Sequence, residues 1–130
     1  MAAVQPSGMP CIATPNQVPS FDVENLLQQL AGDRELMRLI LETFRSEWPR
    51  RLAGIRATLE GGDQSALIRH AHTLKGNARQ LSAAEAAAAS ARVEHLARSG
   101  ALCSGSPDLD QLEATLRRLD QDILRELGSS

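Results

Sequence analysis

At 130 residues the chain has the length of one domain plus a tail, enough to bury a core without disulfides or metals. Two Phe, one Trp and no Tyr, set among many Ala and Leu, exclude the aromatic and β-branched runs of a sandwich or barrel and favour helices. A formal net charge of -2 removes any global electrostatic case for nucleic acid or an anionic membrane surface, so basic character is local.

Residues 1 to 19 hold four prolines (Pro6, Pro10, Pro15, Pro19) among scattered Ser, Gly and Gln, with no period of either kind, and read as a disordered linker or tail. Ser20 is placed to cap a short helix from Phe21 to about Leu30, with Val23, Leu26, Leu27 and Leu30 on one side and Ala31-Gly32 as its stop. Asp33 caps a second helix, in which Met37, Ile40, Leu41, Phe44, Trp48, Leu52, Ile55 and Leu59 hold one face as far as Gly61-Gly62. Pro49 lies inside that stripe. An interior proline costs about 3 kcal/mol and bends the axis, yet the stripe keeps phase across it, so the spacing predicts one long kinked helix.

Asp63 or Ser65 starts the third helix, which ends near Arg79 to Leu81 and contains His70-Ala71-His72-Thr73-Leu74-Lys75-Gly76-Asn77-Ala78. Its Leu67, Ala71, Leu74, Ala78 and Leu81 form a buried stripe, which turns His72 toward water. At about 100° per residue, Arg69, Lys75, Gly76 and Arg79 project within about 60° of His72. Lys75 is the chain's single lysine. Ser82-Ala83-Ala84-Glu85 then reads as a capping box starting a fourth helix at Ala83. Small inner residues (Ala86, Ala89, Val93, Leu96, Ala97) let that helix pack close to its neighbours, and Ser99-Gly100 closes it. After a loop from Ala101, Ser106-Pro107 opens a last helix with Leu109, Leu112, Leu116, Leu119, Ile123 and Leu127 at three- and four-residue spacing.

The expected fold is therefore all-α: an antiparallel up-and-down four-helix bundle over residues 20 to 128, with a short additional N-terminal helix, residues 1 to 19 as a linker and 129 to 130 as a tail. Cys11 and Cys103 fall in loops without metal or redox spacing, so free thiols are expected, with a disulfide as the alternative. No apolar run approaches the roughly 18 residues of a spanning helix and no signal peptide opens the chain, so a cytoplasmic protein is expected.

Enzyme motifs are missing: there is no Gly-rich phosphate loop, nucleophile elbow, His-Glu-x-x-His or paired Glu-x-x-His. His70 and His72 diverge by roughly 200° on a helix and cannot chelate one metal together, so no metal site is expected. A neutral imidazole is, however, a good nucleophile toward phosphorus near pH 7. Phosphoryl transfer asks for position and for positive charge near the phosphoryl oxygens, which Lys75 and Arg79 can supply. Gly76 has no side chain and leaves room for another protein's active site, at about 1 kcal/mol in helix propensity.

His72-Thr73-Leu74-Lys75-Gly76-Asn77-Ala78, followed by Leu81 and Ala83, closely resembles the His-x-Leu-Lys-Gly core of histidine-containing phosphotransfer (Hpt) domains. The resemblance runs from about Phe21 to Leu127 and includes the acidic cap before the second helix, Phe44 and the Val93-Glu94 step. It implies a four-helix bundle whose motif histidine accepts a phosphoryl group from a receiver-domain aspartate and passes it to another. His72 is then the phospho-acceptor, Lys75 a phosphate-side cation, Gly76 the clearance residue, and Glu94 the group that bonds the other ring nitrogen. The family commonly has glycine where this chain has Ser82; a capping box would explain the serine.

The resemblance further implies no cofactor beyond the Mg2+ of the partner receiver, no autonomous kinase or ATPase activity, and receiver (response-regulator) domains as partners, with no nucleic acid and no direct membrane contact. It fits a monomeric domain, either free-standing or cut from a bacterial hybrid sensor kinase that is itself membrane-anchored. Ile68, Arg69 and Arg79 are candidate docking residues, although a lone exposed isoleucine is common. Glu94 is either His72's partner or one half of a surface salt bridge with an arginine. His70, on the flank of the apolar stripe, is expected to be structural and His95 solvated. The rival reading is an unphosphorylated helical module that docks on a receiver or kinase and inhibits it.

Overall fold

A computed structural model describes residues 20–129, and among these every regular element is a helix. The elements are α1 (Val23–Gln29), α2 (Arg34–Gly61), α3 (Gln64–Gln80), α4 (Ala84–Arg98) and α5 (Pro107–Ser129). Helices α2 to α5 pack in ring order, each on its chain neighbour and α5 back on α2, while α1 lies against α2. The expected linker and Cys11 lie outside the described residues; α5 runs one residue past the expected boundary at 128. Cys103 is an exposed free thiol.

The stripes read from the sequence are the core. Met37, Leu41, Phe44, Trp48, Leu52 and Ile55 of α2 are buried, and so are Leu67, Ala71, Leu74 and Ala78 of α3. Leu109, Leu112, Leu116, Leu119 and Ile123 of α5 are fully enclosed. Helix α2 continues through Pro49. Its partner α5 is joined to it by Asp120, whose Oδ1 accepts from Arg45 Nε at 3.0 Å and Trp48 Nε1 at 3.1 Å.

Two caps differ from expectation. Ser20 does not cap α1: its amide and hydroxyl both donate to Asp122 of α5, so it tethers the chain's entry to the bundle. Asp22 caps instead, accepting from the Asn25 amide at 3.0 Å. The capping box at Ser82 does not form either. Ser82 has φ 59, in the left-handed region, and α4 begins after Ala83 with no side-chain cap. Glu85 instead meets Arg118 of α5 at 3.0 Å.

The reason lies in how the helices stop. After α3, the Ala83 amide bonds the Ala78 carbonyl and the Ser82 amide bonds that of Arg79, the paired pattern of a Schellman turn with Ser82 in its left-handed position. The same pattern ends α1, α2 and α4, with Ala31 (φ 56), Gly62 (φ 74) and Gly100 (φ 73) in that position. Glycine takes this conformation without penalty, whereas a Cβ costs roughly 1–2 kcal/mol. This accounts for the family's glycine at the position of Ser82. Ser82→Gly is therefore expected to stabilise the bundle by about 1 kcal/mol, raising Tm by roughly 4 °C in a thermal melt; a lower Tm would show that the serine hydroxyl is needed there.

Candidate functional site

The site is built on the line where α3 and α4 approach. On α3, burial of Leu67, Ala71, Leu74 and Ala78 turns the opposite side outward, and the His72 side chain is 62% exposed. On α4 the facing residues are small: Ala86, Ser90, Val93 and Ala97 are buried, with the Ser90 hydroxyl returned to the Ala86 carbonyl at 2.8 Å. Such a surface admits a close helix pair. Ala89 and Leu96 lie only half-buried on its edges. The close approach brings Glu94, buried on α4, against the outer side of α3.

Glu94 is the centre of the cluster. Its Oε2 lies 3.1 Å from His72 Nδ1. The same oxygen accepts from Arg98 Nη2 at 2.7 Å and Nε at 3.2 Å. Its Oε1 is buried without an aligned hydrogen-bond donor and is met by Lys75 Nζ at 2.8 Å. Burial alone would raise this carboxyl's pKa, but the donors Lys75, Arg98 and His72 outweigh it and hold the group at about 2. Glu94 is thus a permanent anion near neutral pH. Because it bonds Nδ1, the neutral imidazole carries its proton there and its lone pair on Nε2.

Gly76 lies one turn beyond His72, and a Cβ built on it would meet nothing within 4 Å. The helix itself therefore has no need of a glycine here. Arg69 and Arg79 are exposed and have no ion-pair partner among the described residues. This surface is exposed, basic and open on one side, and the His72 ring is held from behind by Glu94. The Hpt domain family model matches residues 39–122.

The chain belongs to the Hpt domain family.

As an Hpt domain it takes part in histidine phosphotransfer in two-component signalling, a family role exercised with receiver domains. Its fold is similar to that of histidine-containing phosphotransfer protein B from Pseudomonas aeruginosa PAO1, with 24% identity, a TM-score of 0.78, and 88% of this chain and 99% of that one covered. It is also similar to the Hpt domain of a sensor hybrid histidine kinase from Shewanella, at 15% identity and a TM-score of 0.72, covering 85% of this chain and 96% of that one. No curated protein sequence matches the chain. No described helix is long and apolar enough to cross a membrane.

Against this Hpt frame, the expected site residues fall into groups. His72, Lys75 and Glu94 come together. Lys75, expected on the phosphate side, is 17% exposed and its Nζ lies 2.8 Å from Glu94 Oε1. Ile68, a candidate docking residue expected to be exposed, is half-buried and packs on the core. His70 is structural: Arg51 Nη1 lies 3.2 Å from its Nδ1, and its ring fills the notch left by Gly54, where a Cβ would stand 2.8 Å from Nε2. Burial, and then the charges of Arg51 and Arg69, lower its pKa and keep it neutral. Arg98 was not among the expected residues, although its i,i+4 spacing from Glu94 is the usual signature of a helical ion pair.

The cluster makes stability pH-dependent in a defined window. The Glu94 carboxyl titrates at about 2 when folded, against an ordinary 4.5. Its contribution is complete above the ordinary value and is lost as pH falls through about 2. Glu94→Gln, which keeps an acceptor and loses the charge, is expected to cost about 2 kcal/mol at neutral pH. Urea unfolding midpoints of the two proteins should converge as pH approaches 2; a constant gap across that range would assign the loss to packing instead.

Proposed function

We propose that this domain is a phosphorelay intermediate with His72 as its phospho-acceptor. The observation that carries the reading is the bond between His72 Nδ1 and a buried, ionised Glu94, which leaves an exposed Nε2 lone pair facing outward. Nε2 attacks the phosphorus of a receiver's aspartyl phosphate in line with the leaving carboxylate. The P–N bond forms as the P–O bond breaks, and the aspartate departs with the electron pair. The proton on Nδ1 stays in place. The ring gains positive charge, which Glu94 stabilises from 3.1 Å without accepting the proton, since its carboxyl is protonated only near pH 2.

The reverse sequence on a second receiver discharges the histidine. Arg69 and Arg79 meet the incoming partner or the phosphoryl oxygens, Lys75 holds Glu94 in place, and Gly76 leaves the approach clear. The Mg2+ that neutralises the aspartyl phosphate belongs to the receiver, and the domain needs no cofactor of its own. Incubation with a phosphorylated receiver is expected to yield a phosphate that is acid-labile and alkali-stable, and that maps to the peptide containing His72. A phosphate found on a hydroxyl side chain, or none at all with competent receivers, overturns the proposal.

A further inference from the structure

The carboxylate that orients His72 also endangers it. A buried anion bonded to one ring nitrogen favours the imidazolium, and an imidazolium has no lone pair with which to attack. In this chain that anion is shared. Arg98 donates twice to Oε2, the oxygen that meets His72, and Lys75 stands against Oε1. Glu94 is thus met by two cations, Lys75 and Arg98, and α3 adds two exposed ones, Arg69 and Arg79, on the helix that carries His72.

We infer that Arg98 is a positioning residue which, by occupying Glu94 Oε2 together with His72, keeps the imidazole oriented yet neutral and nucleophilic. The inference rests on His72 being the nucleophile. It divides the cluster into two tasks: Glu94 selects which nitrogen attacks, and Arg98 prevents that selection from protonating it. Lys75 adds to the effect but is itself mostly buried, so its loss disturbs packing. Arg98 is 58% exposed, and its side chain can be replaced with little structural cost.

The size of the effect follows from the shared oxygen. The guanidinium and Nδ1 both bond Oε2, which places them within about 6 Å of each other, where a unit charge in water changes an equilibrium about three-fold. Diethyl pyrocarbonate acylates only an unprotonated ring nitrogen and involves no receiver. Its reaction at His72, followed by site-resolved mass spectrometry from pH 5 to 8, is expected to be about three-fold slower on the acid limb in Arg98→Met. Arg98→Lys should restore the wild-type profile. In a Glu94→Gln background, Arg98→Met should displace the profile to higher pH much less, because the carboxylate that holds the guanidinium beside Nδ1 is gone.

An Arg98→Met profile that overlays the wild type, or a displacement that persists in the Glu94→Gln background, overturns the inference. Neither result would touch phosphorylation of His72. Failure of that assignment would appear separately, as absence of label from a phosphorylated receiver.

Discussion

His72→Gln is expected to abolish phosphoryl acceptance while leaving the bundle folded, whereas His70→Gln should retain acceptance and lose stability. The two histidines are separated by one residue and serve opposite sides of α3. His72 is 62% exposed, and its one polar contact among the described residues is with Glu94, which keeps Lys75 and Arg98 when the ring is gone. Its replacement should change stability by less than about 0.5 kcal/mol. His70 is packed into the space over Gly54 and bonded to Arg51, which is itself held by Glu47 at 3.5 Å. A glutamine can accept from Arg51 but does not fill the notch with a rigid ring, so a loss of about 1 kcal/mol, or roughly 4 °C in Tm, is expected. Labelling by a phosphorylated receiver and thermal melts on both variants form the test. Label surviving in His72→Gln, or lost in a folded His70→Gln, would reverse the assignment of chemistry and structure.

That division was legible in the sequence because a helix converts spacing into direction. Leu67, Ala71, Leu74 and Ala78 identify the buried side of α3, and once that side is known, His72 must face out and His70 must lie on its flank. The leucine stripe of α5 and the stripe of α2 across Pro49 were legible for the same reason. What escaped depends on distance between elements. Ser82-x-x-Glu85 satisfies a capping-box pattern and also follows a helix end, where a left-handed residue is needed. The choice falls to the second because α3 must stop there and Ala83 is wholly buried. Likewise Glu94-x-x-x-Arg98 resembles many surface pairs along the chain. It becomes part of the site only because small residues on α4 let Glu94 reach α3, a separation that no local pattern records. Ile68 shows the converse: its angle points outward, but it is half-buried against the core.

Gly76→Gln is expected to slow phosphotransfer by about 100-fold or more while making the protein more stable. The two halves of this expectation have separate causes. For the fold, a Cβ at residue 76 meets nothing within 4 Å, so any side chain there projects into solvent and removes the backbone freedom that glycine gives the unfolded chain. Replacing a helical glycine by a good helix former should then gain about 0.5–1 kcal/mol. For the chemistry, helical side chains lean toward the N-terminus, so a residue one turn after His72 covers the space over the imidazole. In-line transfer tolerates little displacement of the reacting atoms, and about 1 Å of misplacement can cost about 100-fold. Gly76→Ala should be at least as stable as Gly76→Gln and slower than wild type by roughly ten-fold. Paired measurements of Tm and of transfer rate from a phosphorylated receiver decide the matter. If Gly76→Gln melts lower than wild type, the glycine serves the helix; if it transfers at the wild-type rate, the clearance role is wrong. Stability and activity moving in opposite directions would mean that α3 keeps a less stable sequence at this turn for the sake of an approaching partner.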